Sequence, residues 1–187
     1  MTKKILIPLA QGCEELEAVT LIDLFRRAGF EVITAGLDER VVHCARGTVI
    51  IPDTSLDQVL QTTFDMVVLP GGQPGTNHLD ADTRIHDIVQ RHARQAKYVC
   101  AICAAPKVLA NAGLLAGKRA TAFPGTLETL QVKGMQLEAA AVVQDGLIVT
   151  SRGPGTAMDF ALALIELLAG AAAREKVETP LQRPTRG

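Results

Sequence analysis

The sequence predicts an α/β fold, a mostly parallel sheet with helices packed on both of its faces. Two observations carry that expectation. Short aliphatic runs alternate along the chain with segments of helical period, the signature of repeated strand–helix units. The composition agrees, with 48% hydrophobic residues but only 3% aromatic and no Trp, which suits a sheet covered by Ala- and Leu-rich helices. At 187 residues the length favours one domain. A domain of this size buries roughly 70% of its unfolded-chain surface, so it needs no disulfides or structural metal.

The elements follow in order. Lys4 to Leu9 reads as a buried strand, and Ala10–Gln11–Gly12 as a turn. From Glu14 to Ala28, Leu16, Val19, Ile22 and Phe25 form a helical stripe closed by Gly29. Glu14 and Glu15 sit where the positive end of a helix dipole favours acids. Phe30 to Ala35 is a second strand, and Val41–Cys44 with Thr48–Ile51, joined around Arg46–Gly47, fit either a small hairpin or an extra edge layer. Asp65 to Leu69 is a third strand that ends in Pro70–Gly71–Gly72. Thr83 caps a helix with Ile85, Ile88, Val89 and His92 on one stripe, although His86 and His92 as residue types read as helix-surface positions. Lys97 to Ile102 is a fourth strand and Ala104 to Ala112 a helix. A turn at Gln144–Asp145 precedes a late strand, Gly146–Thr150, and Ser151–Gly155 leads into the helix Thr156–Ala169. Residues 178–187 have two prolines, three charges and no apolar period. The domain is therefore expected to occupy residues 1–181 and a loose C-terminal tail residues 182–187.

Composition also excludes partners. With 19 Lys and Arg against 20 Asp and Glu, the chain lacks the basic excess that phosphate binding demands, so no specific nucleic-acid binding is expected. The first apolar run, Ile5–Ala10, is too short for a signal-peptide core, and Phe160–Ala169 is far short of a membrane span. The expectation is a soluble, cytoplasmic protein whose four cysteines are free thiols.

In a mostly parallel sheet, active sites lie beyond the carboxyl ends of the strands. That rule selects the loops Ala10–Glu15, Pro70–Gly75, Ile102–Ala105 and Ser151–Gly155. Cys103 stands at a strand–turn–helix junction, where a sharp turn exposes its central side chain and aims the following amides at one point. A helix N-terminus there would lower the thiol pKa below ~8.5. The same pattern also fits a buried structural cysteine. Cys100 completes a C-x-x-C but lies inside the aliphatic strand, which favours a core role over a dithiol centre. Gly71, Gly72 and Gly75 lack the spacing of a nucleotide loop and more naturally let backbone N–H groups approach a reacting atom, or simply make a turn. Glu17 can point towards the strand ends, where its carboxyl would have a raised pKa and share a proton with a thiolate. His43, His78, His86 and His92 show no metal spacing, so no metal or cofactor is expected. His78 follows the Gly-rich loop and reads as solvent-exposed or near the site.

Together four segments carry a resemblance: Ala10–Gln11–Gly12–Cys13–Glu14–Glu15–Leu16–Glu17, Val67–Val68–Leu69–Pro70–Gly71–Gly72, Ala101–Ile102–Cys103–Ala104–Ala105–Pro106 and Thr150–Ser151–Arg152–Gly153–Pro154–Gly155–Thr156. In these the chain resembles the ThiJ/PfpI superfamily, in particular its parkinsonism-associated protein deglycases and the bacterial YajL-like proteins, over roughly Lys3 to Leu181. The resemblance implies a single-domain, three-layer sandwich of the flavodoxin-like kind. It implies that Cys103 is the reactive, peroxide-sensitive nucleophile, Glu17 the acid beside it, and the amides of Gly72 and Ala104 the oxyanion-binding pair. It places Cys44, Arg46 and Arg27 near a homodimer interface. Ala104 stands where the protease branch has histidine, and Phe123–Pro124 where the animal deglycases have histidine before proline, so no Cys–His pair is left for proteolysis. The implied activity is a cofactor-independent attack on methylglyoxal or glyoxal and their early thiol and amine adducts, as in a protein or nucleotide deglycase or a glyoxalase. The alternative it leaves open is a redox-responsive chaperone or peroxide sensor that works through Cys103 oxidation.

Overall fold

The computed structural model describes residues 2–184 and is built around a seven-stranded sheet. In chain order the elements are β1 (Lys4–Leu9), α1 (Glu15–Arg27), β2 (Glu31–Gly36), β3 (Val42–His43), β4 (Val49–Ile50), β5 (Thr54–Ser55), β6 (Met66–Leu69) and α2 (Gly75–Ala81). They continue with α3 (Thr83–Arg94), β7 (Tyr98–Ile102), α4 (Pro106–Asn111), β8 (Arg119–Ala120), β9 (Gln136–Leu137), β10 (Val142–Asp145), β11 (Ile148–Ser151), α5 (Ala157–Ala169) and α6 (Ala171–Glu178).

The spatial order is β10-β11-β7-β6-β1-β2-β5, and every neighbouring pair is parallel except β10 with β11. Strand order reverses on either side of β1, with β2 to one side and β6 to the other, which makes the β1–β6 edge a switch point. The two sheet faces bury separate cores. Ile5, Ile7, Leu9, Cys100 and Ile102 point to the side of Phe25 and Phe160, hence of α1 and α5. Leu6, Ala10, Val99 and Ala101 point to the side of Ile85, Val89 and Leu109, hence of α3 and α4. Because pleat alternation sends successive side chains to opposite faces, near-continuous aliphatic strands produce three layers. The expected α/β class and mostly parallel sheet are what the chain forms.

Several details differ from the sequence reading. On α1 the buried side is Glu17, Ala18, Leu21, Leu24 and Phe25, while Leu16 and Val19 are half exposed. The apolar period fits two overlapping stripes, and tertiary packing chose the one that carries the carboxylate. Gln144 and Asp145 end β10, and the turn falls two residues later, at Gly146–Leu147, where Gly146 takes φ 63°. His92 is buried rather than surface-exposed. Its ring stacks on Phe64 with centroids 6.5 Å apart, and its Nδ1–H donates to the Ile88 carbonyl at 2.9 Å. The cap of α3 is Asp82, whose carboxylate accepts the Arg84 N–H at 3.0 Å, and Thr83 is the first helical residue. The helix expected over residues 104–112 is a shorter segment, Pro106–Asn111. At the C-terminus, Glu178 closes α6 and Thr179–Leu181 make a 3₁₀ turn. Arg183, in the segment expected as tail, pairs with Glu178 at 2.8 Å and Asp159 at 2.5 Å, and residues 185–187 lie outside the described residues.

Candidate active site

Cys103 follows β7 directly and is a non-glycine residue in the left-handed region, φ 64°. Such a conformation costs ~1–3 kcal/mol and persists only where the surroundings enforce it. Here three backbone bonds do so. Cys103 N–H donates to the Ser151 carbonyl at 3.0 Å, Ala105 N–H to Ile102 at 3.0 Å, and Phe123 N–H to the Cys103 carbonyl at 2.8 Å. The turn lifts the thiol out of the sheet yet leaves the residue only 8% exposed, at the floor of a recess of about 240 Å³. Glu14, Ala45, Arg46, Gln73, Phe123 and Pro154 form its walls.

The loop after β6 supplies the neighbours. Gly71 lies so close that a Cβ would come within 2.7 Å of the Cys103 Cβ and 2.9 Å of Glu17 Oε2. Its N–H donates to Glu17 Oε2 at 2.7 Å. Gly72 takes φ 91° and packs against the Gly12–Glu14 backbone, where no side chain fits. The amides of Gly72 and Ala104 both act on the Cys103 sulfur in the direction that favours thiolate. Glu17 reaches this point from the third position of α1 with its side chain fully buried, and its Oε1 has no hydrogen-bond partner among the described residues. The structure therefore brings Cys103, Glu17, Gly72 and Ala104 to one place.

The charge balance differs from the sequence expectation. Burial first, then the Glu17 carboxylate, pushes the Cys103 thiol up to about 12, against the pull of the two amides. Burial likewise raises Glu17 to about 7, opposed by the Gly71 N–H. The short α4 contributes little, because Ala104 and Ala105 belong to the turn rather than to a helix. Two buried acids this closely coupled titrate as a pair. With both groups raised by burial, the pair retains a shared proton, which can rest on Glu17 with a thiolate beside it or on sulfur with a carboxylate beside it. Since Oε2 is taken by the Gly71 N–H, Oε1 is the oxygen free to carry that proton.

Other candidates lie elsewhere. Cys100 is fully buried in β7, and burial raises its thiol pKa strongly. His78 Nδ1–H donates to the Gln11 carbonyl at 2.8 Å, and the ring lines a separate recess with Arg40 and Thr83. Glu15 accepts the N–H groups of Arg46 and Thr48, tying the β3–β4 hairpin to α1 rather than merely facing a dipole. Among the described residues no group of three or more His, Cys, Asp or Glu side chains is arranged to hold a metal. Sequence reasoning missed Gly71 as the residue that admits Glu17 to the thiol. The close packing of two glycines after β6 was its only trace.

Comparison with known proteins identifies the family. The family model described as the DJ-1/PfpI family matches residues 3–167. The dj-1beta protein of Drosophila melanogaster is 43% identical over 179 residues, 95% of this chain and 94% of that one. Its crystal structure superposes with a TM-score of 0.94 at 41% identity, covering 98% of this chain and 100% of the other. A Toxoplasma gondii DJ-1, solved oxidized, superposes with a TM-score of 0.92 at 36% identity, covering 96% and 98%. A Caenorhabditis elegans protein named glutathione-independent glyoxalase DJR-1.2 is 34% identical over 177 residues, 95% of this chain and 94% of that one. With a cysteine-bearing strand–turn–helix one strand from the switch point of a mostly parallel sheet and matches across nearly its whole length, the chain belongs to the DJ-1/PfpI family.

Proposed function

We propose that the chain is a cofactor-independent cysteine enzyme that acts on methylglyoxal, glyoxal and their early adducts with thiols and amines. The observation that carries this reading is the convergence of a strained Cys103, a buried Glu17 of raised pKa and two backbone N–H groups at the floor of one small recess. The glyoxalase name of the nematode relative supports the same substrate class.

Each group has a role. With the shared proton on Glu17, the Cys103 thiolate attacks the aldehyde carbon, and the Gly72 and Ala104 amides stabilise the oxygen that gains charge, an effect worth ~3–4 kcal/mol per donor in acyl-transfer enzymes. Glu17 protonates that oxygen and then removes the C1 proton of the resulting hemithioacetal to give an enediolate. The C1 hydroxyl proton passes to the C2 oxygen and Glu17 returns its proton to C2, which leaves a thioester bearing a C2 hydroxyl. Water cleaves the thioester, frees the cysteine and releases a 2-hydroxy acid. The net change is addition of one water to the dicarbonyl, so no redox partner is required. A recess of about 240 Å³ fits a three-carbon substrate and leaves a protein or nucleotide adduct to extend past Phe123 and Arg46. The same reading makes the protein a cytoplasmic homodimer in carbonyl-stress defence. The exposed Leu16 and Val19 on α1, beside a hairpin bearing Val49 and Ile51, supply an apolar face for a second copy.

The oxidized state of the Toxoplasma relative favours a second reading, in which Cys103 serves a peroxide sensor or redox-responsive chaperone. Lactate formation from methylglyoxal without glutathione separates the two. Wild type is expected to turn over and Cys103→Ser to fall to the uncatalysed background. Wild-type protein that forms no lactate while Cys103 still oxidises would leave only the sensor.

A further inference from the structure

Cys13 and Cys44 take no part in the chemistry proposed for Cys103, yet their sulfurs lie 3.6 Å apart. Cys13 comes from the loop after β1 and Cys44 from the end of β3. Gly12 N–H donates to the His43 carbonyl and Ala45 N–H to the Cys13 carbonyl, both at 2.8 Å, so backbone bonds hold the two segments together on either side of the thiols. A disulfide needs a separation near 2.05 Å, which leaves about 1.5 Å to close between two short side chains whose backbones are already adjacent.

We propose that Cys13 and Cys44 are an intrachain redox couple, a modification site distinct from Cys103, which hydrogen peroxide closes to a disulfide. Cys44 is the entry point, since it keeps 7% of its surface while Cys13 has none. Donation from the Cys13 S–H favours the Cys44 thiolate. That sulfur attacks a peroxide oxygen: an S–O bond forms, the O–O bond breaks, and the departing hydroxide takes a proton to leave as water. The Cys13 sulfur then attacks the Cys44 sulfenic sulfur. The S–S bond forms, the S–O bond breaks, and the Cys13 proton leaves with the hydroxyl as a second water. The two sulfurs lose two electrons and one peroxide is reduced to two waters. Burial raises the pKa of both thiols, so the first step is slow, while contact makes the second step intramolecular and fast. Ala45 and Glu14, the residues that follow the two cysteines, wall the Cys103 recess, so the disulfide would join two of its sides.

The test uses the full chain carrying Cys103→Ser, treated with graded hydrogen peroxide, alkylated without reduction and digested for peptide mass spectrometry. The expected product is a cross-linked pair of peptides containing Cys13 and Cys44, about 2 Da lighter than the two thiols. It runs as a single chain on a non-reducing gel and is reversed by a dithiol. In a Cys13→Ala background Cys44 is expected to stop at a sulfenic acid trapped by dimedone, and Cys44→Ser is expected to abolish the cross-link. The proposal is overturned if both cysteines stay alkylatable at peroxide and exposure times far beyond those that fully oxidise Cys103 in wild type, or if Cys44 bonds to a second chain instead.

Discussion

At Glu17, burial and catalysis pull against each other. A carboxyl raised to about 7 in the folded chain binds its proton more tightly there than when unfolded, where its pKa is near 4.5. The stability it contributes is therefore full below pH ~4.5 and is lost as pH rises through about 7. Glu17→Gln removes that ionisation, so the variant is expected to melt higher than wild type at pH 8 and close to it at pH 4.5. Equal melting differences at both pH values would show that Glu17 does not ionise in the folded protein. Gly71 makes a complementary test. Its missing side chain is what lets Cys103 and Glu17 approach, and Gly71→Ala forces a methyl group between them. Overpacking of this kind costs ~1–3 kcal/mol, and here it also breaks the shared proton. Gly71→Ala is expected to fold with a lowered melting temperature and to lose turnover almost as fully as Cys103→Ser. A fully active Gly71→Ala enzyme would contradict the close packing of the pair.

The strands were legible from sequence because buried parallel strands are continuous aliphatic runs, and β1, β2, β6 and β7 fall within a residue of their expected bounds. The helices were less so where two faces competed. On α1 the apolar residues support either stripe, and only the packing of α1 on α5 shows that Glu17 lies inward. The strand β10 was hidden because Gln144 and Asp145 look like a turn, yet they complete an antiparallel edge pair. α2 was hidden because it opens on Gly75 without a capping side chain. His92 was misplaced by residue type alone, although its position in the stripe of Ile85, Ile88 and Val89 pointed inward. That correction carries a prediction for α3. Burial lowers the His92 pKa, and its Nε2 has no partner among the described residues. The neutral ring is favoured in the folded chain, so the stability it supports is present above its unfolded pKa of ~6.5 and is lost as pH falls below it. His92→Phe, which keeps the ring against Phe64, is expected to flatten the loss of melting temperature between pH 7 and pH 5. A slope identical to wild type would place the acid sensitivity elsewhere.

At the scale of the whole molecule, the switch point of the sheet explains why residues far apart in sequence meet. Glu17 enters after β1, Gly71 and Gly72 after β6, and Cys103 after β7, three strands that lie side by side. The sequence already placed these loops at one end of a parallel sheet. It did not show which backbone atoms touch the sulfur, because that depends on the φ of Cys103 and on the missing side chain of Gly71. The half-exposed Leu16 and Val19 belong to this scale too. Sedimentation is expected to give twice the chain mass of 19.9 kDa at micromolar concentration, and a Leu16→Glu, Val19→Glu double variant is expected to sediment as the monomer. A wild-type monomer would remove the second copy from the account. The central claim, that Cys103 and Glu17 act as one acid–base unit, is tested most directly by the pH dependence of kcat/KM for methylglyoxal. Wild type is expected to gain activity through an inflection near pH 7, as the pair gives up its first proton. Glu17→Gln is expected to lose roughly 10²–10⁴-fold in rate and to shift that inflection upward. A Glu17→Gln enzyme with the wild-type rate and an unmoved inflection would contradict the claim.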